Sequence, residues 1–561
     1  MFSELAERIP EHFHAFPERM LRYGFGIPLR VRKLSYKTAC STTALLACTL
    51  YFLAGQAFIP RLGIEDDEAL FAMPLLQPRS AEYTLRIGHS HFPLMLMSYL
   101  GTLKTLLLDP VLHIFGTGVR AVREPMLLAG AFSVWLFYLL LRRVAGERAA
   151  LAGCILLAAD TLYLLTSCFD WGPVALQHLL FLGGAYCLVR FYQERRERFL
   201  ALGCYLLGLA LWDKALGEWM LSGLMVATLA VCRRQVRAVF SLRRLALAAA
   251  ACCLGAMPLL IYNAASRGGT FHGNFRRETD QFPQKSLMMV NTLRGQGLFG
   301  YLTDEDWQTP QPHAPANLLD RSSDELALWT GQPRYNLMLW AFALALIALP
   351  FAGRAARRIV LFCLIALGIA WLEMAITAGA GGSVHHTILL WPLPLAIPAA
   401  VFAGASRRLG RAGIPALAAV IAVLSTSCLL VTNEYYRMMA RDGGSISWTD
   451  AIFPLSRYLG GQGARGVYCM DWGILDNLRL LSHGRLPLRV GMDEFPADAV
   501  ALMAADPGNL FVSHTPEFAI FPDVNPRLVA AAHAAGYEPE MLATISDSYG
   551  RRIFQVYRFR R

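Results

Sequence analysis

The stretch FLALGCYLLGLALWDKALGEWMLSGLMVATLAVC, residues 199–232, decides how this chain is read. Arg195, Arg196 and Arg198 precede it, and Arg233, Arg234 and Arg237 follow it. As one helix it would be far longer than the roughly 20 apolar residues that cross a bilayer. Basic residues collect on the cytoplasmic side of membrane segments, so both ends lie on the same side. The chain must then turn back near Asp213–Glu218, giving two short spans, 199–213 and 218–232, joined as a hairpin whose tip carries Asp213, Lys214 and Glu218.

The same reasoning extends outward. Apolar runs also occupy Thr38–Pro60, 124–141, 149–167, 173–189, 245–264, 335–352, 358–377, 386–404 and 412–431, making about eleven spans. Basic clusters alternate along them, at Arg30/Arg32/Lys33/Lys37, Arg142/Arg143/Arg148, Arg354/Arg357/Arg358 and Arg407/Arg408/Arg411. Between them, Ser167–Gly172 and Ala378–His386 carry no Lys or Arg. This pattern predicts a cytoplasmic N-terminus and an external C-terminus. Residues 1–37 are polar and basic, and no apolar segment of a cleavable signal precedes the first span.

Composition agrees. Of 561 residues, 55% are hydrophobic and only 17% charged, against about 25% charged in ordinary soluble domains. That deficit excludes a cytosolic enzyme, a disordered chain and a collagen-like fibre. The net charge of +11 sits in interspan clusters, a topology signal and not a nucleic-acid groove. Most of the twelve cysteines lie singly in apolar runs, where they act as small hydrophobes, and no CxxC occurs. The expected fold class is a polytopic α-helical membrane protein. Residues 1–37 form a cytoplasmic segment and 38–431 the membrane domain, with external loops 61–123 and 266–334. Residues 432–561 form a small extracytoplasmic α/β domain. Within the first loop, Phe92–Phe115 reads as an interfacial or re-entrant helix. In the tail, Gly466–Met470, Leu510–His514 and Arg551–Phe559 read as strands, Asp450–Leu459 and Arg527–Ala535 as helices, and Ile545–Phe559 as a hairpin around Tyr549-Gly550.

Chemistry gathers at the external ends of the spans. Glu65-Asp66-Asp67-Glu68 follows the first span, and four adjacent acids near a low-dielectric surface cannot all ionise comfortably. At least one needs a raised pKa or a cationic or hydroxyl partner. A solvated loop or a helix start is the plainer reading of the four. His91 precedes a Pro-started segment in the same loop. Asp170 heads span four, where a helix cap is the plain alternative. Lys214 lies at the hairpin tip, where an ion pair with Asp213 or Glu218 is the alternative. His385 and His386 follow the glycines at 379, 381 and 382; adjacent imidazoles without a fixed third ligand leave no metal site assigned and a divalent cation open. Few polar groups (Asp160, Asn263, Glu373) lie at membrane depth, which argues against an ion path. The set suits an outer-interface site handling a polar head group on a lipid.

The motifs resemble the GT-C class of membrane glycosyltransferases, in the bacterial branch similar to protein O-mannosyltransferases and aminoarabinose transferases. Asp67-Glu68-Ala-Leu-Phe resembles the family's Asp-Glu pair followed by an aromatic. His91-Phe-Pro-Leu resembles its His-Pro-Pro-Leu, with Phe92 departing. Arg123-Glu-Pro resembles Arg-Leu-Pro, and the segment ending Asp213-Lys214 resembles one ending Thr-Lys, with Asp213 departing. The resemblance covers about residues 38–400 and implies inverting transfer of a sugar from a polyprenyl-phosphate donor to a lipid, glycan or protein acceptor on the external face of a bacterial inner membrane. It implies Asp67 as base with Glu68 as neighbour or stand-in, Lys214 on the leaving phosphate, and His91, Asp170, His385 and His386 as substrate contacts. Lipid or polysaccharide transport, and an assembly role through the C-terminal domain, are the competing readings; no nucleic-acid partner is expected.

Overall fold

A helix occupies each of the eleven apolar runs. The structure is a computed structural model that describes residues 29–77, 80–304 and 310–561. The expected cytoplasmic segment before residue 29 lies outside the described residues. Residues 29–43 are helical, and residues 44–561 form one unit. Five helical stretches are long and apolar enough to cross a membrane: Tyr36–Phe58, Val119–Val144, Val174–Glu194, Gly353–Ile376 and Val384–Arg441. Three bent pairs raise that to eight if each pair is one span: Glu147–Ala159 with Thr161–Cys168 (57°), Ala215–Val231 with Arg233–Val239 (90°), and Leu242–Gly255 with Met257–Ala265 (72°). Val384–Arg441 is itself broken at Gly410, and Met338–Phe351 is shorter.

The 57° break explains the acid at Asp160. Its carboxylate accepts from the Tyr163 amide at 2.9 Å and from Trp391 Nε1 at 3.2 Å, so it caps the restarted helix inside the bundle. Glu373 is likewise engaged, accepting from the Ser222 hydroxyl. The chain turns at Lys214–Gly217 as expected, but the two helices do not zip into a hairpin. Glu197–Asp213 packs between Val174–Glu194 and Leu242–Gly255, whereas Glu218–Val231 packs on Gly353–Ile376. The two helices that leave the tip therefore pack on different neighbours.

The loop after the first span, expected to be external, differs from expectation in its secondary structure. Phe92 belongs to a strand, not a helix: β1 (Tyr83–Ile87), β2 (Ser90–Met97) and β3 (Leu100–Gly101) form an antiparallel sheet in that order. β1 and β2 join through Gly88-His89, with Gly88 at φ 63 as a two-residue hairpin turn requires. Helix then runs from Leu103 to Phe115.

The C-terminal strands form a five-stranded sheet, β4 (Gly466–Cys469), β5 (Leu488–Val490), β6 (Asn509–His514), β7 (Glu538–Ser546) and β8 (Arg552–Arg560), in the order β5-β4-β6-β8-β7. β4 is parallel to β5 and β6; β8 is antiparallel to β6 and β7. The expected hairpin is β7–β8, turning at Asp547–Arg551, and the two expected helices are Ile452–Gly460 and Val524–Ala534. The division expected at 432 falls inside the continuous helix Gly413–Arg441. Leu475–Leu481 packs directly on Asp66–Leu70, so this sheet region abuts the acidic loop.

Candidate active site

Arg123 builds the frame. Its Nε and Nη2 donate to the two oxygens of Glu68 at 2.7 and 2.8 Å. Nη1 donates to the carbonyls of Ile59 (2.7 Å) and Leu62 (3.2 Å), and Nη2 to that of Gly63 (2.6 Å). All five guanidinium N–H groups are thus used. Both side chains are essentially without solvent contact. Glu68, expected beside the reacting centre, is instead a buried clamp that fixes the end of the first span against the second.

The other three acids stand on the clamped turn. Glu65 caps the helix Asp66–Leu70 by accepting from the Glu68 amide at 3.1 Å. Burial, then the charges of Asp67 and Asp66, hold its carboxyl well above the usual range. Asp66 is raised too, by burial and by Asp476, which pairs with Arg479 at 3.0 Å. Asp67 is pushed up to about 6 by burial and Asp476, against the opposing pull of Lys214 and Lys104.

Those lysines converge from distant segments of the chain. Lys104 is buried and donates to Asp170 Oδ2 at 3.0 Å, with its ammonium 4.1 Å from the Phe71 ring centre. Asp170 Oδ1 accepts from the amides of Val174 (2.6 Å) and Ala175 (3.4 Å), the start of the next helix. Asp170 therefore does serve as a cap, and holds a cation besides. Lys214 is only 2% exposed, bridges Leu100 through its backbone, and donates to the Gly172 carbonyl at 3.2 Å. It forms no ion pair within 4.0 Å among the described residues: Asp213 accepts from Gln177 instead, at 3.2 Å. Burial lowers the Lys214 ammonium to about 8, although Asp170, Asp213 and Asp67 favour its charge.

Gly172 allows this convergence. A Cβ there would lie 2.9 Å from His385 Cδ2 and 3.3 Å from Lys214 Nζ. His385 Nδ1 accepts from Trp171 Nε1 at 2.9 Å and lies 2.8 Å from Ser383 Oγ. With Nδ1 accepting, the neutral ring carries its proton on Nε2, a donor available to a bound anion. The His386 ring lies alongside, its centre 4.1 Å away and its plane tilted by 51°. Both rings line a cavity of about 480 Å³ with Tyr99, Trp219, Arg276 and Thr377. It adjoins a second cavity of about 280 Å³ that shares Tyr99, Trp219 and Arg276 and adds Glu218 and Glu373.

The second external loop supplies one wall. The Glu278 amide donates to Ile376 O at 2.9 Å and the Ala378 amide to Arg276 O at 2.7 Å, a short pairing that sets Arg276 at the cavity. Lys285 locks it, donating from Nζ to the carbonyls of Ala375 (3.1 Å) and Thr377 (2.7 Å). The sequence does not single out Lys104, Arg276 or Lys285. A lone lysine in an apolar stretch is the available signal, and it marks Lys104 alone. His91 stands apart, exposed on β2 opposite Arg86. Among the described residues no three His, Cys, Asp or Glu are grouped to hold a metal ion.

Residues 103–262, which contain Lys104, Arg123, Asp170 and Lys214, match the family described as dolichyl-phosphate-mannose-protein mannosyltransferase. ArnT from Cupriavidus metallidurans, in a crystal structure bound to undecaprenyl phosphate, superposes with a TM-score of 0.52 at 14% identity, over 93% of this chain and 98% of that one. This chain has the fold of ArnT. ArnT in its apo state superposes in the same way, with a TM-score of 0.51 at 13% identity over 94% and 98% of the two chains. The oligosaccharyltransferase of Archaeoglobus fulgidus is more distant, with a TM-score of 0.45 at 12% identity over 89% and 69%. No curated protein matches the sequence.

Proposed function

We propose that this protein transfers a sugar from a polyprenyl-phosphate carrier to an acceptor hydroxyl at the external face of the membrane, with inversion. The acceptor oxygen attacks C1, the bond from C1 to the phosphate oxygen breaks, and the lipid leaves as polyprenyl phosphate. Asp67 takes the acceptor's proton, and Lys214, the Nε2–H of His385 and Arg276 offset the charge that grows on the leaving phosphate. Asp170 and Lys104 position rather than react, and Glu68 with Arg123 holds the loop. The observation that carries this reading is a carboxyl raised to about 6 within electrostatic reach of a buried lysine that makes no ion pair among the described residues. A base needs the first and an incoming phosphate needs the second.

The same proposal includes eleven crossings, a cytoplasmic N-terminus, and residues from about 442 onward outside a bacterial inner membrane. It also assigns the adjoining cavities to the sugar phosphate and the start of its lipid. Sugar consumption from a labelled polyprenyl-phosphate donor by purified protein, with lipid, glycan and protein acceptors compared, tests it. Transfer that Asp67→Asn and Lys214→Ala both abolish supports the assignment. Unaltered transfer in both variants overturns it.

A further inference from the structure

A separate cavity of about 300 Å³ shares no lining residue with those beside the two histidines and reaches Val144, Cys232 and Arg358, next to the basic clusters between spans. Phe137, Phe181, Leu224 and Phe362 are among its walls, and its lining is almost wholly apolar. Gln235 and Arg358 bring polar heads to this lining, and the Arg358 charge reaches Cys232, three residues before Gln235. Gln235 belongs to the short helix Arg233–Val239, which turns 90° from the helix before it and leaves Arg233, Arg234 and Arg237 exposed. Arg358 is exposed as well, and neither it nor Gln235 has a hydrogen bond or ion pair within the described residues. The cavity follows one helix from Met220 to Cys232, a rise of about 18 Å. That is close to the roughly 15 Å of hydrocarbon in one leaflet.

We propose that this cavity holds one acyl chain of an anionic phospholipid, with the lipid phosphate at Arg358 and the exposed arginines beside it. An apolar cavity gains nothing from water, so an alkyl chain is the chemistry that fits its walls. The one-sided cationic mouth selects a negative head group. A zwitterionic lipid such as phosphatidylcholine presents the same phosphate together with a choline cation that the exposed arginines repel, so its net attraction is weaker.

The inner end gives the site a consequence. Trp391 and Pro392 close it, and Trp391 is held to Asp160. The turn Ile388–Leu390 just before them is separated from His385 and His386 by Thr387 alone, and Ile388 O is tied to His178 Nε2 at 2.8 Å. A chain filling the cavity therefore braces the segment that carries both imidazoles. The inference does not rest on the transferase reading, since its first readout is lipid occupancy.

The test is native mass spectrometry of delipidated full-length protein after addition of phosphatidylglycerol or phosphatidylcholine. One phosphatidylglycerol retained per chain is expected, with about fivefold preference over phosphatidylcholine, the worth of one basic group near a charged surface. Arg358→Glu, at an exposed site, should erase that preference without changing the melting temperature. Ala185→Phe, which fills the cavity, should abolish retention of both lipids; Cys232→Trp at the rim serves the same purpose if that variant fails to fold. Equal retention of the two lipids, retention unchanged in Arg358→Glu, or retention surviving the filled cavity would each overturn the proposal, the last marking annular lipid only.

Discussion

Glu68→Gln and Asp67→Asn, neighbours in sequence, should fail in opposite ways. The amide introduced by Glu68→Gln would keep the shape but present an NH₂ group to the Arg123 guanidinium, turning one of two charge-assisted bonds into a donor–donor contact. A buried cation then loses its counter-charge. Removing one member of a buried pair costs about 3–5 kcal/mol. The three carbonyl bonds to Ile59, Leu62 and Gly63 survive, which places the expected loss near the lower end. Asp67 works the other way. Its carboxyl sits at about 6 where 3.8 is ordinary, so the fold carries no penalty below 3.8 and progressively more as pH rises to 6. At about 1.4 kcal/mol per pKa unit, removing the charge returns up to roughly 3 kcal/mol above pH 6. Thermal melts in nanodiscs at pH 4 and pH 8, paired with turnover per folded molecule, read both effects. Glu68→Gln should melt lower at both pH values and keep most of its turnover. Asp67→Asn should melt higher only at pH 8 and lose roughly 10²–10⁴-fold in turnover, the scale of a lost general base. A Glu68→Gln variant as stable as its parent yet inactive would refute the division of labour between the two acids.

Transfer should follow a bell in pH, rising as Asp67 ionises near 6 and falling as Lys214 loses its proton near 8; a profile whose acidic limb survives in Asp67→Asn would assign that limb elsewhere. Lys104→Met should destabilise by about 3–5 kcal/mol, because Asp170 keeps its two amides but loses its buried cation, and denaturant melts report it. Gly172→Ala should lower kcat/KM about 100-fold with little change in melting temperature, since the methyl displaces His385 and Lys214 together and misplaced groups forfeit the advantage of alignment. In a variant with exposed Cys253 replaced by Ser, a cysteine at Gln462 should label only from the external side; labelling from the cytoplasm would invert the proposed orientation.

The bundle is legible in the sequence because apolar length and basic flanks are local properties. What the sequence conceals is pairing across distance. Arg123 and Glu68 are both visible in motifs, yet nothing local says that 55 residues apart they close a five-donor clamp. Glu68 consequently reads as chemistry. Phe92–Met97 reads as helix because a continuous apolar run hides the period that separates strand from helix. Its membership of a sheet follows from the Gly88-His89 turn and from β1, a neighbour with unremarkable composition. The motif around His91 draws it into the site, whereas the strand leaves it at the surface. Asp476 cannot be connected with Asp66 from sequence at all, since their meeting depends on how the C-terminal helix packs.

That last contact bears on timing. Asp66 and the helix that covers it are separated by roughly 400 residues of chain. At 5–20 residues per second, Asp476 leaves the ribosome roughly 20–80 s after Asp66. Throughout that interval the acidic turn stands without its cover, and the charges that hold Asp67 near 6 are incomplete. A half-made protein thus lacks part of the surroundings that set the Asp67 carboxyl. With Asp67 as the proposed base, the site is complete only once synthesis has passed the C-terminal helix that packs on the loop.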